Sequence, residues 1–146
     1  MHLARMIPFL CLLQFAASAA TAQDATPAGL PPVVITPVIS SSTTAAGQPI
    51  TLPQKDVEVA VSIYDIAPGA KLAVHQHPYP RYAYVLAGTL QVTDADSGAS
   101  TTYKAGDFVI EMIGKWHQGA NIGADPVKLL VIDQFERGAT QTVVRQ

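Results

Sequence analysis

The chain has 146 residues, a length suited to one domain, with 49% hydrophobic and only 14% charged residues. A formal net charge of −2 and a pI near 6.0 exclude the basic footprint that nucleic acid or an anionic membrane surface would require. No Asn-x-Ser/Thr site and no internal repeat is present.

The first segment, "MHLARMIPFLCLLQFAASAATAQ", places Arg5 in a short head, an apolar run from Ile7 to Ala17, and small residues ending in "ATA" (Ala20 to Ala22). This is the three-part pattern of a secretory signal, and the run is too short to span a bilayer. Cleavage after Ala22 is expected, giving an exported protein, periplasmic or secreted, that does not stay with the membrane once the signal is removed. Cleavage removes His2, Arg5 and the single cysteine, Cys11. The product then has no disulfide to stabilise it, and it keeps three histidines: His75, His77 and His117.

Residues 23–49 are rich in Pro, Ser, Thr and Ala, and read as an irregular or extended arm. Within it "VVITPVI" is suited to an edge strand, to which Pro37 confines it. From residue 50 to 146 the texture is that of short strands broken by turns about every ten residues. "VEVAVSIYDI" alternates Val57, Val59, Val61 and Ile63 on one face. "AKLAVHQH", "RYAYVL", "TLQVTD", "TTYK", "DFVIEMI" and "VKLLVIDQF" follow, with "ADSGAS" as a hairpin loop. No stretch after residue 50 holds a helical period. The class is all-β, a sandwich or a closed barrel.

His75 and His77 are one residue apart. On a strand, alternate side chains share a face, so both imidazoles point the same way and can chelate a metal. A lone His-x-His pair also occurs on solvated faces. Here it accounts for two of the three histidines left after cleavage, and His117 is the third.

Gly69, five residues, His75, one residue, His77, three residues, Arg81, six residues and Gly88 resemble the first cupin motif. Arg81 stands where that family usually carries glutamate. Gly106, five residues, Met112, one residue, Gly114, two residues, His117, three residues and Asn121 resemble the second, with Met112 in place of the usual proline. The resemblance implies a cupin jelly-roll β-barrel of six or more strands, preceded by the arm, with a metal at its centre. In the family both histidines of the first motif, the histidine of the second and the glutamate hold the ion; His75, His77 and His117 carry over. The cofactor implied is a divalent first-row transition metal: Fe, Mn, Ni, Cu or Zn.

An arginine stays protonated and has no lone pair to offer, so Arg81 does not ligate. It swings to the barrel mouth, faces an anionic ligand, or pairs with a carboxylate. Strand parity in "DFVIEMI" sets Asp107, Val109 and Glu111 on one face and Phe108, Ile110 and Met112 on the other. Glu111 is therefore the acid expected to replace the missing one, as a fourth ligand or as the partner of Arg81; a shifted strand would turn it to solvent instead. Arg81, Tyr79 and Trp116 are the candidate substrate-pocket residues, although Trp116 also suits a wedge beside the ligand loop. Tyr82 and Tyr84 share the face opposite Arg81, where they pack under the arm or against another copy. The resemblance, this face and the apolar arm together suggest a homodimer.

No Ser-His or Cys-His nucleophile is available, because every remaining histidine belongs to the constellation. Two readings of function stay open. One is a metal-dependent enzyme of oxygenase or isomerase type acting on a small molecule. The other is a non-catalytic module that binds or senses a small ligand, with or without metal.

Overall fold

Alternation of β-branched and aromatic residues between glycine turns produces nine strands among the described residues. They are β1 (Val57–Ile66), β2 (His75–Gln76), β3 (Arg81–Ala87), β4 (Thr89–Asp94), β5 (Ser100–Lys104), β6 (Phe108–Ile110), β7 (His117–Asn121), β8 (Val127–Glu136) and β9 (Val143–Val144). The computed structural model describes residues 33–146, of which Thr36–Gln146 form one compact unit. The expected signal peptide and the first part of the arm lie outside the described residues. Among the described residues there is no helix.

Two antiparallel sheets face each other, in the orders β1-β8-β3-β6 and β5-β4-β7-β2-β9. This is the all-β jelly roll expected from the sequence. The core lies between the sheets, where Val85, Val109, Val127 and Val131 are almost wholly buried. Each such side chain contributes about 1.5–3 kcal/mol by leaving water. β8 carries a long apolar run, yet its burial alternates: Val127, Leu129, Val131, Asp133 and Phe135 point inward.

The turn between β3 and β4 requires Gly88. It adopts φ 81°, and a Cβ there would stand 2.6 Å from the Pro126 carbonyl oxygen. Asn121 receives the amide of Gly123 and donates from Nδ2 to the carbonyls of Ile66 and Asp125. It thus also fastens the end of β1.

Two readings of the sequence are revised, and two features are filled in. Val57, Val59, Val61 and Ile63 do share a face of β1, but that face is the outer one, and each is half or more exposed. His117 begins a strand, because "HQGAN" pairs with both β4 and β2. The "VVITPVI" segment forms no strand; Pro37 lacks the amide donor that a ladder needs. Instead Thr43–Pro49 make a small hairpin, and the Ala45 amide donates to the Ile110 carbonyl at the edge of β6. Finally, Met112 leaves the parity of Phe108 and Ile110 and enters the core, because β6 ends at Ile110.

The hairpin reaches toward the site. The Gln48 side chain donates to the Ile113 carbonyl and accepts the Ile113 amide. It therefore clamps the backbone two residues beyond Glu111.

Candidate metal centre

β2 and β7 lie side by side, with His75 directly opposite His117. His77 follows β2 and is fixed by a bridge to Ile113, its carbonyl accepting the Gly114 amide. The three imidazoles meet with ring centroids 4.5–5.1 Å apart. All three are buried.

Each ring is oriented by its far nitrogen. Nδ1 of His75 lies 2.7 Å from the Ala73 carbonyl, Nδ1 of His77 3.1 Å from that of Gln141, and Nδ1 of His117 2.8 Å from that of Lys115. A carbonyl only accepts, so each Nδ1 carries the proton and each neutral ring turns its Nε2 lone pair inward. Glu111 completes the cluster: its Oε2 lies 3.1 Å from Nε2 of both His77 and His117. The four donor atoms all fall within 4.8 Å of one another.

Converging lone pairs and a carboxylate repel unless something electropositive stands among them, either protons or a cation. The protons leave their mark on the titration. Burial alone would push the Glu111 carboxyl up, but hydrogen bonds from His117 and His77 outweigh it and hold the group far below the ordinary carboxylate range. Burial would likewise lower His117, and the hydrogen bond to Glu111 overcomes it and raises the ring. His75 is lowered, chiefly by burial, and so favours the neutral form that ligates. Three nitrogens and one carboxylate oxygen, with the nitrogens' protons held elsewhere, fit a divalent first-row metal ion.

Arg81 begins β3 and lies directly opposite Asp133 on β8. Its Nε donates to Asp133 Oδ1 at 2.6 Å, and both side chains are buried. The salt bridge to Arg81 is therefore made by Asp133, not by Glu111 as strand parity in the motifs suggested. Glu111 is tied to Arg81 through the main chain, its amide donating to the Arg81 carbonyl. The remaining guanidinium nitrogens point to the site: Nη2 is 3.1 Å from Thr142 Oγ1, and Nη1 is 3.3 Å from His77 Nε2.

A cavity of about 190 Å³ opens beside the cluster, walled by Tyr64, Leu72, Ala73, His75, Arg81, Thr142 and Val144. Its inner end is a smaller pocket that reaches Glu111 and His117 and shares Tyr64, Leu72, His75 and Arg81 with it. Of the expected pocket residues, Arg81 lines this cavity. Tyr79 and Trp116 do not form its wall; Trp116 lies beneath Arg145, with the guanidinium 5.5 Å from the ring centre. The aromatic wall is Tyr64 instead. Sequence reasoning also missed Asp133 and Thr142. An acid on the same strand parity as Val127, Leu129 and Val131 was the available signal for Asp133. Thr142 carried none.

A jelly-roll barrel with a buried three-histidine, one-carboxylate cluster at one end of a small cavity defines a class of small β-barrel protein. The Cupin domain family matches residues 62–133, and the chain belongs to the cupin superfamily. No curated protein matches it. The fold is similar to that of an uncharacterised conserved protein with a double-stranded β-helix domain from Klebsiella pneumoniae, at 23% identity and TM-score 0.51, covering 77% of this chain and 96% of that one. It is also similar to the polyketide cyclase RemF from Streptomyces resistomycificus, at 19% identity and TM-score 0.51, covering 60% of this chain. The chain spans 62% of the length of that cyclase. At these identities the likeness establishes the fold.

Proposed function

We propose that this cupin is exported and holds one divalent first-row metal ion through His75, His77, His117 and Glu111, to act on a small-molecule ligand. The observation that carries the reading is that three imidazoles, each fixed by an Nδ1–H bond to a backbone carbonyl, bring their donor atoms and that of Glu111 within 4.8 Å of one another. A divalent ion at this point supplies a Lewis acid that polarises an oxygen-bearing ligand. The rings are held in their ligating tautomer by Ala73, Gln141 and Lys115. Glu111 offsets part of the ion's charge, and Leu72, Leu90 and Val92 exclude water around it. Fe, Mn, Ni, Cu and Zn all accept such donors, so the ligand set does not choose among them.

Elemental analysis of the purified protein tests the reading. About one divalent ion per chain is expected, falling by most of its amount in His77→Ala. A wild-type protein without metal after incubation with each of the five ions overturns it. Turnover or oxygen uptake by the loaded protein separates an enzyme of oxygenase or isomerase type from a binding module.

Export is supported by the leader pattern ending at Ala22. Homodimerisation is supported by the outer face of the β1-β8-β3-β6 sheet. Cross-strand register sets Val61, Ile132, Tyr82 and Ile110 in one row and Ile63, Leu130, Tyr84 and Phe108 in the next. A contiguous apolar face of this kind marks an association surface.

A further inference from the structure

Arg81 is buried, yet its hydrogen bonding is incomplete. A guanidinium carries five N–H donors. Nε–H is taken by Asp133 and one Nη2–H by Thr142. The Nη1 contact is to His77 Nε2, the same lone pair that faces the metal site. Once that lone pair is committed to a cation, both Nη1–H groups and the second Nη2–H lack an acceptor among the neighbours described above. They lie in the wall shared by the 190 Å³ cavity and the pocket that reaches Glu111 and His117.

The charge count points the same way. Arg81 and Asp133 cancel, and Glu111 offsets half of a divalent ion while the ligating imidazoles are neutral. The loaded site therefore keeps one net positive charge, that of the half-offset cation, and the guanidinium donors flank the same space. A buried charge of that kind draws an anion. The rest of the cavity wall is apolar at Leu72, Ala73 and Val144, and the volume is that of roughly six waters.

We propose that the ligand of this site is a small monocarboxylate, its carboxylate held by the Nη1 and Nη2 donors of Arg81 and its short apolar end lying against Leu72, Ala73 and Val144. Planar, bidentate recognition of a carboxylate is what a guanidinium does and a lone ammonium does not. The proposal rests on the metal reading above for the charge count and for one of the three free donors; one Nη1–H and one Nη2–H lack an acceptor among those neighbours with or without the ion. Arg81 acts here as a specificity-determining residue.

The test is calorimetric titration of the metal-loaded protein with butyrate and with its neutral isostere butyramide. Butyrate should bind at least tenfold more tightly. Arg81→Gln should abolish that preference, with metal content by elemental analysis unchanged. Because this variant leaves Asp133 unpaired, Arg81→Gln/Asp133→Asn serves as the folded control and should behave the same way. Arg81→Lys should recover only part of the preference. Equal binding of the two probes by the wild type, no binding of either, or a preference that survives in the double variant, overturns the proposal. Repeating the titration after chelation distinguishes the two readings. An Arg81-dependent preference for butyrate in a protein that takes up no metal overturns the metal reading and upholds this one.

Discussion

Arg81 and Asp133 are direct cross-strand neighbours on β3 and β8, joined by a 2.6 Å buried salt bridge although 52 residues apart in sequence. The pair explains how an arginine is tolerated beside the three-histidine cluster: Asp133 offsets its charge. Removing one member of a buried pair typically costs about 3–5 kcal/mol, because the other is left uncompensated. Asp133→Asn should therefore destabilise the domain by that order in urea unfolding, and adding Arg81→Gln should recover part of the loss. The same cycle built on Arg81 and Glu111 should give a clearly smaller coupling. Equal couplings in the two cycles would show that Glu111 shares the guanidinium.

Glu111 has the other role. It meets His77 and His117 rather than the guanidinium. Glu111→Gln keeps the shape and removes the charge, so metal affinity should drop at least tenfold in a competition assay against a chelator. An affinity within twofold of wild type would remove Glu111 from the ligand set.

The pH dependence of stability should reverse with metal loading. In the metal-free domain His117 is raised above its usual 6.5, the hydrogen bond to Glu111 overcoming the opposing effect of burial. A raised folded-state value gives stability that is full below pH 6.5 and is lost as pH rises through that value. Glu111 is depressed below 4.5 despite its burial, so its contribution is present above that pH and lost on acidification. His75, lowered by burial, adds no slope well above 6.5. The metal-free protein should thus weaken as pH rises from neutrality, until His117 has lost its proton. The loaded protein should strengthen, since only the neutral ring ligates. Urea midpoints at several pH values, with and without chelator, measure both slopes; slopes of the same sign would contradict the assignment.

The outer sheet face gives a prediction about assembly. Val61 is 60% exposed at the centre of the β1 row, so a charge there costs little within one chain. Wild-type protein should scatter light as a dimer at micromolar concentration, and Val61→Lys as a monomer with an unchanged circular-dichroism spectrum. A monomeric wild type sinks the homodimer.

Export is tested by intact mass. The product recovered outside the cytoplasm should begin near Gln23 and lack Cys11. A recovered mass that includes Cys11 would contradict cleavage at Ala22.

Most of the strands and turns, though not β7 or β9, and three of the four cluster residues were legible along the chain. Those features are local: alternation of period two marks β1, β3, β4 and β8, and Gly88 is needed where no Cβ fits. His75 and His77 lie within three residues of each other, and His117 stands at a fixed distance from the turn glycine Gly114. Parity within one short strand was also enough to bring Glu111 forward. Which face of β1 is covered was settled by packing, because alternation says that two faces differ and not which one meets the second sheet. Packing likewise placed Asp133 against Arg81 and brought Thr142 and Tyr64 to one cavity. These contacts follow from register between strands 50 or more residues apart, and register is set when the sheets pair and pack together, not by any spacing along the chain.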